Sequence, residues 1–433
     1  MIRTKQDAVD LIFASYNMSH KHAVRNQQAA RKLLNEIGSP DRGQAIVLVT
    51  GSKGKGSTAS FISSLLQATG YKTGLFTSPH YFSFNERIRI NGKPISDHDL
   101  IRLANHIELA VKKCMSELEE NEYLGPIGIT LAIALLYFEE QNVDYIILEA
   151  GKGGLFDDTN VVSNQWAVIT PILREHLDEL GPTISDIVKH KLGIVKPYSQ
   201  AFIGKQQAGV IQEIKQLLSE HKQTCMYGED FAVKEAALSR KGTRFHFQTK
   251  HSHYRDMFVP LLGVFQCENI ALAVQACEAI LNKPFEKQRV QQWLNTLQNP
   301  GKCEILHDNP TIILDAAINE QSAKYLHEII THLAPKNMLL VLGLSNDKDY
   351  KGIIQTLLPN TNKIIITKPA KSYKNFDERE IYRFASRLLP TEIVSSLEKA
   401  ITQIFQQPAH DLVFIVGNHS FISEARQSIL KQQ

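Results

Sequence analysis

The chain has 433 residues, and because domains average roughly 100 to 200 residues, this length predicts several domains rather than one small module. Hydrophobic residues make up 43% of the chain and charged residues 21%, a composition typical of a globular protein that excludes a disordered or collagen-like chain. The formal net charge is only +3, which rules out the basic excess typical of nonspecific nucleic-acid binding, so acidic ligands must be bound by local groups.

The cysteines are odd in number and form no CxxC pair, which argues against a disulfide framework and a zinc ribbon. They are Cys114, Cys225, Cys267, Cys277 and Cys303. The longest apolar stretch, Ile129–Phe138, is about half a membrane span, and charged residues interrupt residues 1–17. We therefore expect reduced thiols in an unprocessed cytoplasmic monomer, with no membrane or nucleic-acid partner.

A strand, a glycine-rich loop and a helix follow one another from residue 45. AIVLVT is a short β-branched run, GSKGKGST follows it at 51–58, and ASFISSLLQATG then has helical periodicity. Further strands are predicted at Thr73–Phe76, Asp144–Leu148 and Trp166–Thr170, and helices near Asp97–Glu119 and Ile127–Gln141. This alternation predicts an α/β fold with a doubly wound, mainly parallel sheet.

The second half of the chain has a different pattern. Short alternating runs between Thr224 and Pro260 predict an antiparallel extension before a helix near Gln266, and NPGK at Asn299–Lys302 interrupts the pattern. Four buried strands follow, with the sequences TIILD, MLLVLG, KIIIT and LVFIVG. We therefore predict an ATP-binding domain at residues 1–298 and a smaller C-terminal α/β domain at 299–433, with the nucleotide between them.

The glycine loop Gly51-Ser52-Lys53-Gly54-Lys55-Gly56-Ser57-Thr58 has the features of a phosphate site. Glycines let backbone N–H groups surround phosphate oxygens, the start of a helix favours negative charge, Lys55 adds a cation and Ser57 offers an oxygen to Mg²⁺. The pattern is shorter than GxxxxGK[ST], so the alternative is an ordinary glycine turn with a solvated lysine. The flanking strand and helix favour phosphate binding.

Other polar residues follow predicted strands, where ligands gather in open α/β sheets. Ser78 lies in TSPH after the second strand, and Glu149 enters the glycine cluster AGKGG, where its carboxylate could bind Mg²⁺. His176 follows another strand, and Lys191 lies in the helical KHKLGIVKP. The alternatives are a capped turn at TSPH, a solvated Glu149, a structural or exposed His176 and a solvated Lys191.

In this order, the motifs resemble the folylpolyglutamate synthase/dihydrofolate synthase family of the Mur ligase superfamily of ATP-dependent amide ligases. The resemblance extends from about Ala45 to Arg426. It is carried by VTGSKGKGST, TSPHYFSFNERIRING, YIILEAGKGGLFDDTNVV, WAVITPILREH, HKLGIVKP, LLGVFQCEN, NPGK and LDAAIN. A co-linear series of this kind is far more specific than any single motif.

The resemblance implies a nucleotide site formed by the glycine loop, a later helix and the C-terminal domain. The implied nucleotide-binding residues are Gly51, Ser52, Gly54, Lys55, Gly56, Ser57, Thr58, Gln266, Asn269, Lys302 and Asp315. Among them, Lys55 would hold the ATP phosphates, and Lys302 and Asp315 would close over ATP from the C-terminal domain.

Two Mg²⁺ sites are also implied by the resemblance. Ser78 and Glu149 would bind the first ion, beside Ser57, and Glu149 with His176 would help to bind the second. Lys191 matches a lysine that is often carbamylated in the family, and the resulting carboxylate would support the second ion. The implied catalytic residues are Lys55, His176 and Lys191.

The implied reaction joins a carboxylic acid to an amino acid. The acid attacks the γ-phosphorus of ATP to form an acyl phosphate, the loop N–H groups, Lys55 and the cations offset the growing negative charge, and the amine then displaces phosphate. The expected substrates are a folate or dihydropteroate-type acid and glutamate.

The chain departs from the family pattern mainly where substrates would be recognised. Ile127-Gly128 align with a Phe-Glu pair in the pterin pocket, Ile318 replaces a histidine, and Lys302 replaces an arginine. Further departures are Lys53, Leu155, Pro171, Glu175 and Phe265. A ligase acting on a non-folate acid and another amine therefore stays open.

A nucleotide-binding protein without ligase activity is the third interpretation. The joint presence of the implied ATP and metal residues counts against it, because loss of catalysis would release all of them from selection. These residues are Lys55, Ser57, Ser78, Glu149, His176 and Lys191.

Overall fold

The structure, a computed structural model, describes residues 1–19, 23–80, 82–369, 376–406 and 409–432. The chain divides into two compact units. The first unit comprises Met1–Val233, Phe247–His253 and Glu268–Glu286. The second comprises Lys234–His246, Tyr254–Cys267 and Lys287–Gln433. Besides residues 299–433, the second unit thus includes three segments that precede them, and the domain division at residue 298 stays a prediction.

The first unit contains an eight-stranded sheet, a two-stranded sheet and surrounding helices. Its strands are β1 (Val24–Arg25), β2 (Ile46–Thr50), β3 (Thr73–Phe76), β4 (Ile88–Ile90), β5 (Lys93–Pro94), β6 (Glu122–Tyr123), β7 (Tyr145–Glu149), β8 (Trp166–Ile169), β9 (Gln200–Ile203) and β10 (Thr224–Met226). Its helices are α1 (Lys5–Met18), α2 (Gln27–Glu36), α3 (Lys55–Ala68), α4 (Asp97–Ser116), α5 (Pro126–Glu140), α6 (Leu177–Leu180), α7 (Ile184–Leu192) and α8 (Ala208–Leu217), with 3-10 turns at Phe84–Arg87 and Asp158–Val161.

The large sheet has the order β10-β9-β8-β2-β7-β3-β4-β5. Strands β10 to β3 in this order pair in parallel, whereas β4 and β5 are added antiparallel. Every residue of β2 is buried, as expected for a β-branched strand covered on both faces of a parallel sheet. Because β7 lies between β2 and β3, the carboxyl ends of these three strands meet at one edge.

The sequence-based elements of this unit are largely confirmed. The four predicted strands end within one residue of β2, β3, β7 and β8, and the two predicted helices are α4 and α5. One prediction is wrong: β10 pairs in parallel with β9, so Thr224–Met226 belongs to the main sheet rather than to an antiparallel extension. The small sheet pairs β1 with β6 in parallel.

Helix α9 (Val264–Leu281) spans residues of both compact units. By length and composition it could cross a membrane, but most of it is buried inside the protein, as is common for a core helix of a globular protein. It begins two residues before the predicted position at Gln266.

The second unit contains a six-stranded sheet and most of a three-stranded sheet, whose strands each have one or two end residues in the first unit. Its strands are β11 (Ala232–Ser239), β12 (Gly242–Gln248), β13 (His253–Val259), β14 (Lys302–Asp308), β15 (Thr311–Asp315), β16 (Met338–Gly343), β17 (Lys363–Thr367), β18 (Thr391–Val394) and β19 (Leu412–Gly417). Its helices are α10 (Lys287–Thr296), α11 (Glu320–Leu333), α12 (Tyr350–Leu357), α13 (Glu378–Ala385), α14 (Leu397–Gln406) and α15 (His419–Leu430), with a 3-10 turn at Leu358–Asn360.

The six strands have the order β14-β15-β19-β16-β17-β18, and β11, β12 and β13 form the small sheet. Among the described strand pairs of this six-stranded sheet, only β14 and β15 are antiparallel. Apolar residues of α11, α12 and α13 pack on one face, and those of α14 and α15 pack on the other. The predicted C-terminal α/β fold and its four buried strands are therefore confirmed.

Candidate active site

The glycine loop connects β2 to the long helix α3 and adopts backbone conformations that favour glycine. Gly51 has φ +144° and Gly54 has φ +86°. Gly54 is the N-cap of α3 and provides no side-chain cap, and the start of a helix favours a bound anion. The expected helix start at a glycine-rich loop is therefore present.

Two lysine ammonium groups converge on one carbonyl of this loop. Lys55 Nζ donates to Gly51 O at 2.9 Å, and Lys191 Nζ donates to the same oxygen at 2.8 Å. Lys191 is only 1% exposed and also pairs with Glu175 Oε1 at 3.3 Å. Burial, with the nearby charge of Lys55, lowers the pKa of Lys191 to about 8. Lys191 is thus a buried part of the loop's surroundings and not a solvated lysine.

Glu149 ends β7 beneath the first turn of α3. Its carboxylate is almost fully buried, and Oε2 accepts from the backbone N–H of Ser78 at 3.0 Å. A Cβ atom on Gly56 would lie 3.2 Å from the same oxygen. The structure therefore brings together the glycine loop, the TSPH segment and Glu149, and a buried carboxylate beside an anion-binding loop suits a hard cation.

Ser52 joins the glycine loop to a neighbouring segment. Ser52 N donates to Pro171 O at 2.8 Å, and Leu173 N donates to Ser52 Oγ at 2.9 Å, which ties the loop to the segment after β8. Ser57 lies in the first turn of α3. Thr58 follows it and is buried, and its Oγ1 has no hydrogen-bond partner among the described residues.

His176 lies at the exposed N-cap of α6 with φ +51°. Loss of contact with water lowers the pKa of its imidazole, which favours the neutral ring that metals bind. The side chain that contacts Lys191 is Glu175 rather than His176. The sequence singled out Glu175 only as a departure and not as the partner of Lys191.

Within the described parts of the chain, no group of three or more His, Cys, Asp and Glu side chains is placed to hold a metal ion. A Mg²⁺ at Glu149 would need phosphate, hydroxyl or water oxygens as its other ligands. This is the usual coordination of Mg²⁺ beside a nucleotide, so the donor set at Glu149 fits the ion.

The later nucleotide candidates fall into both units. Asn269, in the first unit, lies against the loop, because a Cβ on Gly54 would be 2.7 Å from its Oδ1. Gln266, in the second unit, is almost fully buried, and its Oε1 has no hydrogen-bond partner among the described residues. Lys302 and Asp315, also in the second unit, face each other across β14 and β15.

Sequence reasoning missed a buried acidic pair near Gly128. Asp157 and Asp158 are fully buried, and Arg25 approaches each carboxylate at 3.6 Å. Gly128 N donates to Asp158 Oδ2 at 3.0 Å, so a carboxylate lies beside the position where the Phe-Glu pair is lost. Burial raises the pKa of Asp158 to about 7. The two adjacent acidic residues in the sequence LFDDTN were the signal that could have pointed to this pair.

Three other departures have local contacts. Leu155 is partly exposed and lies against Gly193, where a Cβ would be 2.6 Å from Leu155 Cβ. Phe265 forms an edge contact with Tyr325 at a ring distance of 5.3 Å. The carbonyl of Ile318 accepts from Asp349 N at 3.3 Å.

Comparison with known proteins agrees with this geometry. The Mur ligase middle domain matches residues 49–277, and the Mur ligase, glutamate ligase domain matches residues 301–419. The dihydrofolate synthase/folylpolyglutamate synthase of Bacillus subtilis (strain 168) is 32% identical over 414 residues, which are 92% of this chain and 94% of that protein.

Solved structures are similar over nearly the whole chain. Mycobacterium tuberculosis folylpolyglutamate synthase complexed with ADP and AMPPCP has a TM-score of 0.85 at 26% identity and covers 98% of this chain and 99% of that chain. An FPGS-AMPPCP-folate complex has a TM-score of 0.81 at 25% identity, with 99% and 100% of the two chains covered.

Proposed function

Because the chain belongs to the folylpolyglutamate synthase/dihydrofolate synthase family of Mur ligases, we propose that it is an ATP-dependent ligase that adds glutamate to a folate. The observation that carries the proposal is the meeting of the glycine loop, Lys55, Ser78 and Glu149 at the carboxyl edge of one sheet. Relatives solved with ADP, AMPPCP and folate support ATP and a folate as its substrates.

The glycine loop is the proposed site of the ATP phosphates. Backbone N–H groups at the start of α3 would bind phosphate oxygens, and Lys55 would swing from Gly51 O to neutralise the γ-phosphate. Gln266, Asn269, Lys302 and Asp315 are the further proposed nucleotide-binding residues, as the family resemblance implies.

Glu149 and Ser78 are the proposed ligands of one Mg²⁺, with Ser57 beside it. When bound, Mg²⁺ would offset negative charge on the transferred phosphoryl group. His176 would join Glu149 at a second ion. Burial lowers the pKa of Lys191 to about 8, so a larger fraction of its amine is neutral and able to react with CO₂ than in a solvated lysine, and a carbamate there is part of the proposal.

The chain's own groups then perform two tasks in the reaction. First, Lys55 and the loop N–H groups stabilise the phosphoryl group as the substrate carboxylate attacks the γ-phosphorus and ADP leaves. Second, the site must exclude water, because water competes with the glutamate amine for the acyl phosphate. The amine then attacks the acyl carbon, an amide forms and phosphate departs.

Cellular context is also part of the proposal. The five cysteines are free thiols and all are buried, which suits a reducing compartment. We therefore place the enzyme in the cytoplasm. A monomer that acts on small-molecule substrates is a further part of the proposal.

A second candidate keeps the reaction but changes the acid. Gly128 and Ile127 cannot supply the contacts of the Phe-Glu pair, and a substrate polar group left unpaired in a buried pocket costs about 1–3 kcal/mol. The carboxylate of Asp158 does not replace these contacts, because it is fully buried and already accepts from Gly128 N.

A phosphate-release assay tests the function. Purified protein with ATP and Mg²⁺ is given tetrahydrofolate, dihydropteroate or unrelated carboxylic acids, each with glutamate or other amines. We expect glutamate-dependent release with tetrahydrofolate, little in Lys55→Ala, and full release in Lys112→Ala, whose lysine is exposed and pairs with Glu108.

The two alternatives give different outcomes in this assay. Turnover confined to a non-folate acid would overturn the substrate and leave the ligase reaction standing. Phosphate release that never depends on an amine would overturn the ligase assignment.

A further inference from the structure

The turn that leads to Lys302 is held by contacts that the proposed function does not use. Gly301 has φ +66°, and its carbonyl accepts from Ala316 N at 3.0 Å. Lys302 N donates to Asn299 O at 3.1 Å. The backbone on both sides of Lys302 is therefore fixed to its neighbours in the second unit.

An ion pair fastens this turn to the last helix. Glu304 Oε2 accepts from Gly301 N at 2.9 Å, and its carboxylate also accepts from Arg426 Nε at 2.9 and 3.1 Å. Arg426 lies on α15. The side chains of Glu304 and Arg426 are only 14% and 24% exposed, so water screens this pair less than a surface pair.

A β-bulge at Cys303 places the side chains of Lys302 and Glu304 on opposite faces of the sheet. Lys302 pairs with Asp315 and Glu304 with Leu314, so three residues of β14 oppose two of β15. Neighbouring residues of β15 face opposite sides of the sheet, and a bulge re-aims side chains in this way. Lys302 therefore shares the face of Asp315, whereas Glu304 shares the face of Leu314.

The two faces of the six-stranded sheet carry different side chains at this point. Leu314 belongs to the apolar cluster formed with α14 and α15, which agrees with the contact between Glu304 and Arg426. On the other face, Cys303 N donates to Asp315 Oδ2 at 2.9 Å. The bulge thus lets Glu304 anchor the strand to α15 while Lys302 and Asp315 remain together on the opposite side.

We propose that Glu304 and Arg426 are positioning residues that hold the Gly301 turn and thereby set Lys302 for nucleotide binding. The inference rests on the proposed function for the role of Lys302. It adds that the affinity for nucleotide depends on a pair of residues on the other face of the sheet, with Gly301 as the link.

A double-mutant cycle on the full-length protein tests this link, with ADP binding measured by calorimetry. Glu304→Gln should weaken ADP binding about tenfold, within the range for coupled residues. In the Lys302→Ala background the same change should weaken it less than about twofold, because the group that it positions is gone. Arg426→Gln should behave like Glu304→Gln, and Arg426→Lys, which keeps the charge, should lose less.

A matched control separates positioning from general loss of an ion pair. Glu392→Gln breaks the Lys363–Glu392 pair, which joins atoms 3.1 Å apart in the same unit, and should leave ADP binding unchanged. Thermal unfolding followed by circular dichroism checks each variant. If Glu304→Gln fails to fold, the two Arg426 variants complete the cycle.

The outcomes distinguish the inference from the function on which it rests. Equal weakening by Glu304→Gln with and without Lys302 would overturn the positioning role, as would no weakening at all. Unchanged ADP binding in Lys302→Ala would overturn the nucleotide role of Lys302 itself, and the positioning role with it.

Discussion

Replacing Gly51 with alanine tests whether the path of the glycine loop creates the phosphate site. The added Cβ would lie 2.0 Å from Thr170 Oγ1 and 2.9 Å from the backbone carbonyl oxygen of Thr170. The hydroxyl could rotate away, but Thr170 N donates to Thr50 O at 2.8 Å, so the backbone of Thr170 is fixed. The loop would therefore have to move.

The expected cost has two parts. A left-handed conformation in a residue with a Cβ costs roughly 1–2 kcal/mol, and overpacking typically adds about 1–3 kcal/mol, which together lower the free energy of unfolding by roughly 2–5 kcal/mol. Turnover should fall by at least about 10²-fold, because the carbonyl that receives both Lys55 and Lys191 is displaced.

Gly70→Ala is the matched control. Gly70 lies just after α3, the helix that the glycine loop precedes. It has φ +100°, but a Cβ there would have no neighbour within 4 Å. It should lose only the conformational part of the stability, about 1–2 kcal/mol, and keep its turnover. Unfolding in denaturant and phosphate release measure the two effects. Turnover of Gly51→Ala within about threefold of Gly70→Ala would refute the reasoning, since a misplaced group should cost far more.

Three further predictions concern charged groups of the site. Lys55→Ala should lower turnover by at least about 10²-fold with an unchanged circular dichroism spectrum, and near-normal turnover would show that the loop does not hold the phosphates. Glu149→Gln keeps an acceptor for Ser78 N but removes the negative charge, so the Mg²⁺ concentration that gives half-maximal activity should rise about tenfold or more. An unchanged Mg²⁺ titration would contradict the metal role of Glu149. Lys191 has a folded-state pKa of about 8 against an ordinary 10.5, so between pH 8 and pH 10.5 this lysine binds more protons in the unfolded chain than in the folded protein. In CO₂-depleted buffer the free energy of unfolding should therefore rise with pH in this range, relative to that of Lys191→Met. A parallel pH dependence of the two proteins would argue against the lowered pKa of Lys191. If Lys191 is carbamylated in the active enzyme, bicarbonate should restore activity to the depleted protein.

Much of the fold could be predicted because local pattern and tertiary structure agree. The strands β2, β3, β7 and β8 are short apolar runs between turn residues, and burial on both faces gives such runs a clear signal. Thr224–Met226 could not be placed this way, because three residues carry no information about whether their partner strand is parallel. Its pairing with β9 depends on the whole sheet.

The site could be predicted in part for the same reason. Gly51, Ser78 and Glu149 follow neighbouring strands, so topology alone brings them together at one edge. The contact of Lys191 with Gly51 O joins residues 140 positions apart, and no local pattern encodes it. The buried acidic pair at Asp157 and Asp158 could not be predicted for the same reason. Its partners, Arg25 and Gly128, come from distant parts of the chain.

The transfer of a labelled oxygen atom tests the central claim most directly. Tetrahydrofolate labelled with a heavy oxygen isotope in its side-chain carboxylate is incubated with the protein, ATP, Mg²⁺ and glutamate, and the released phosphate is analysed by mass spectrometry. If the carboxylate attacks the γ-phosphorus, one labelled oxygen must leave with each phosphate when the amine displaces it from the acyl carbon. We expect labelled phosphate in step with glutamylated product, and no product in Lys55→Ala. Unlabelled phosphate from wild-type protein would mean that water, and not the folate carboxylate, accepts the phosphoryl group, which would contradict the ligase mechanism.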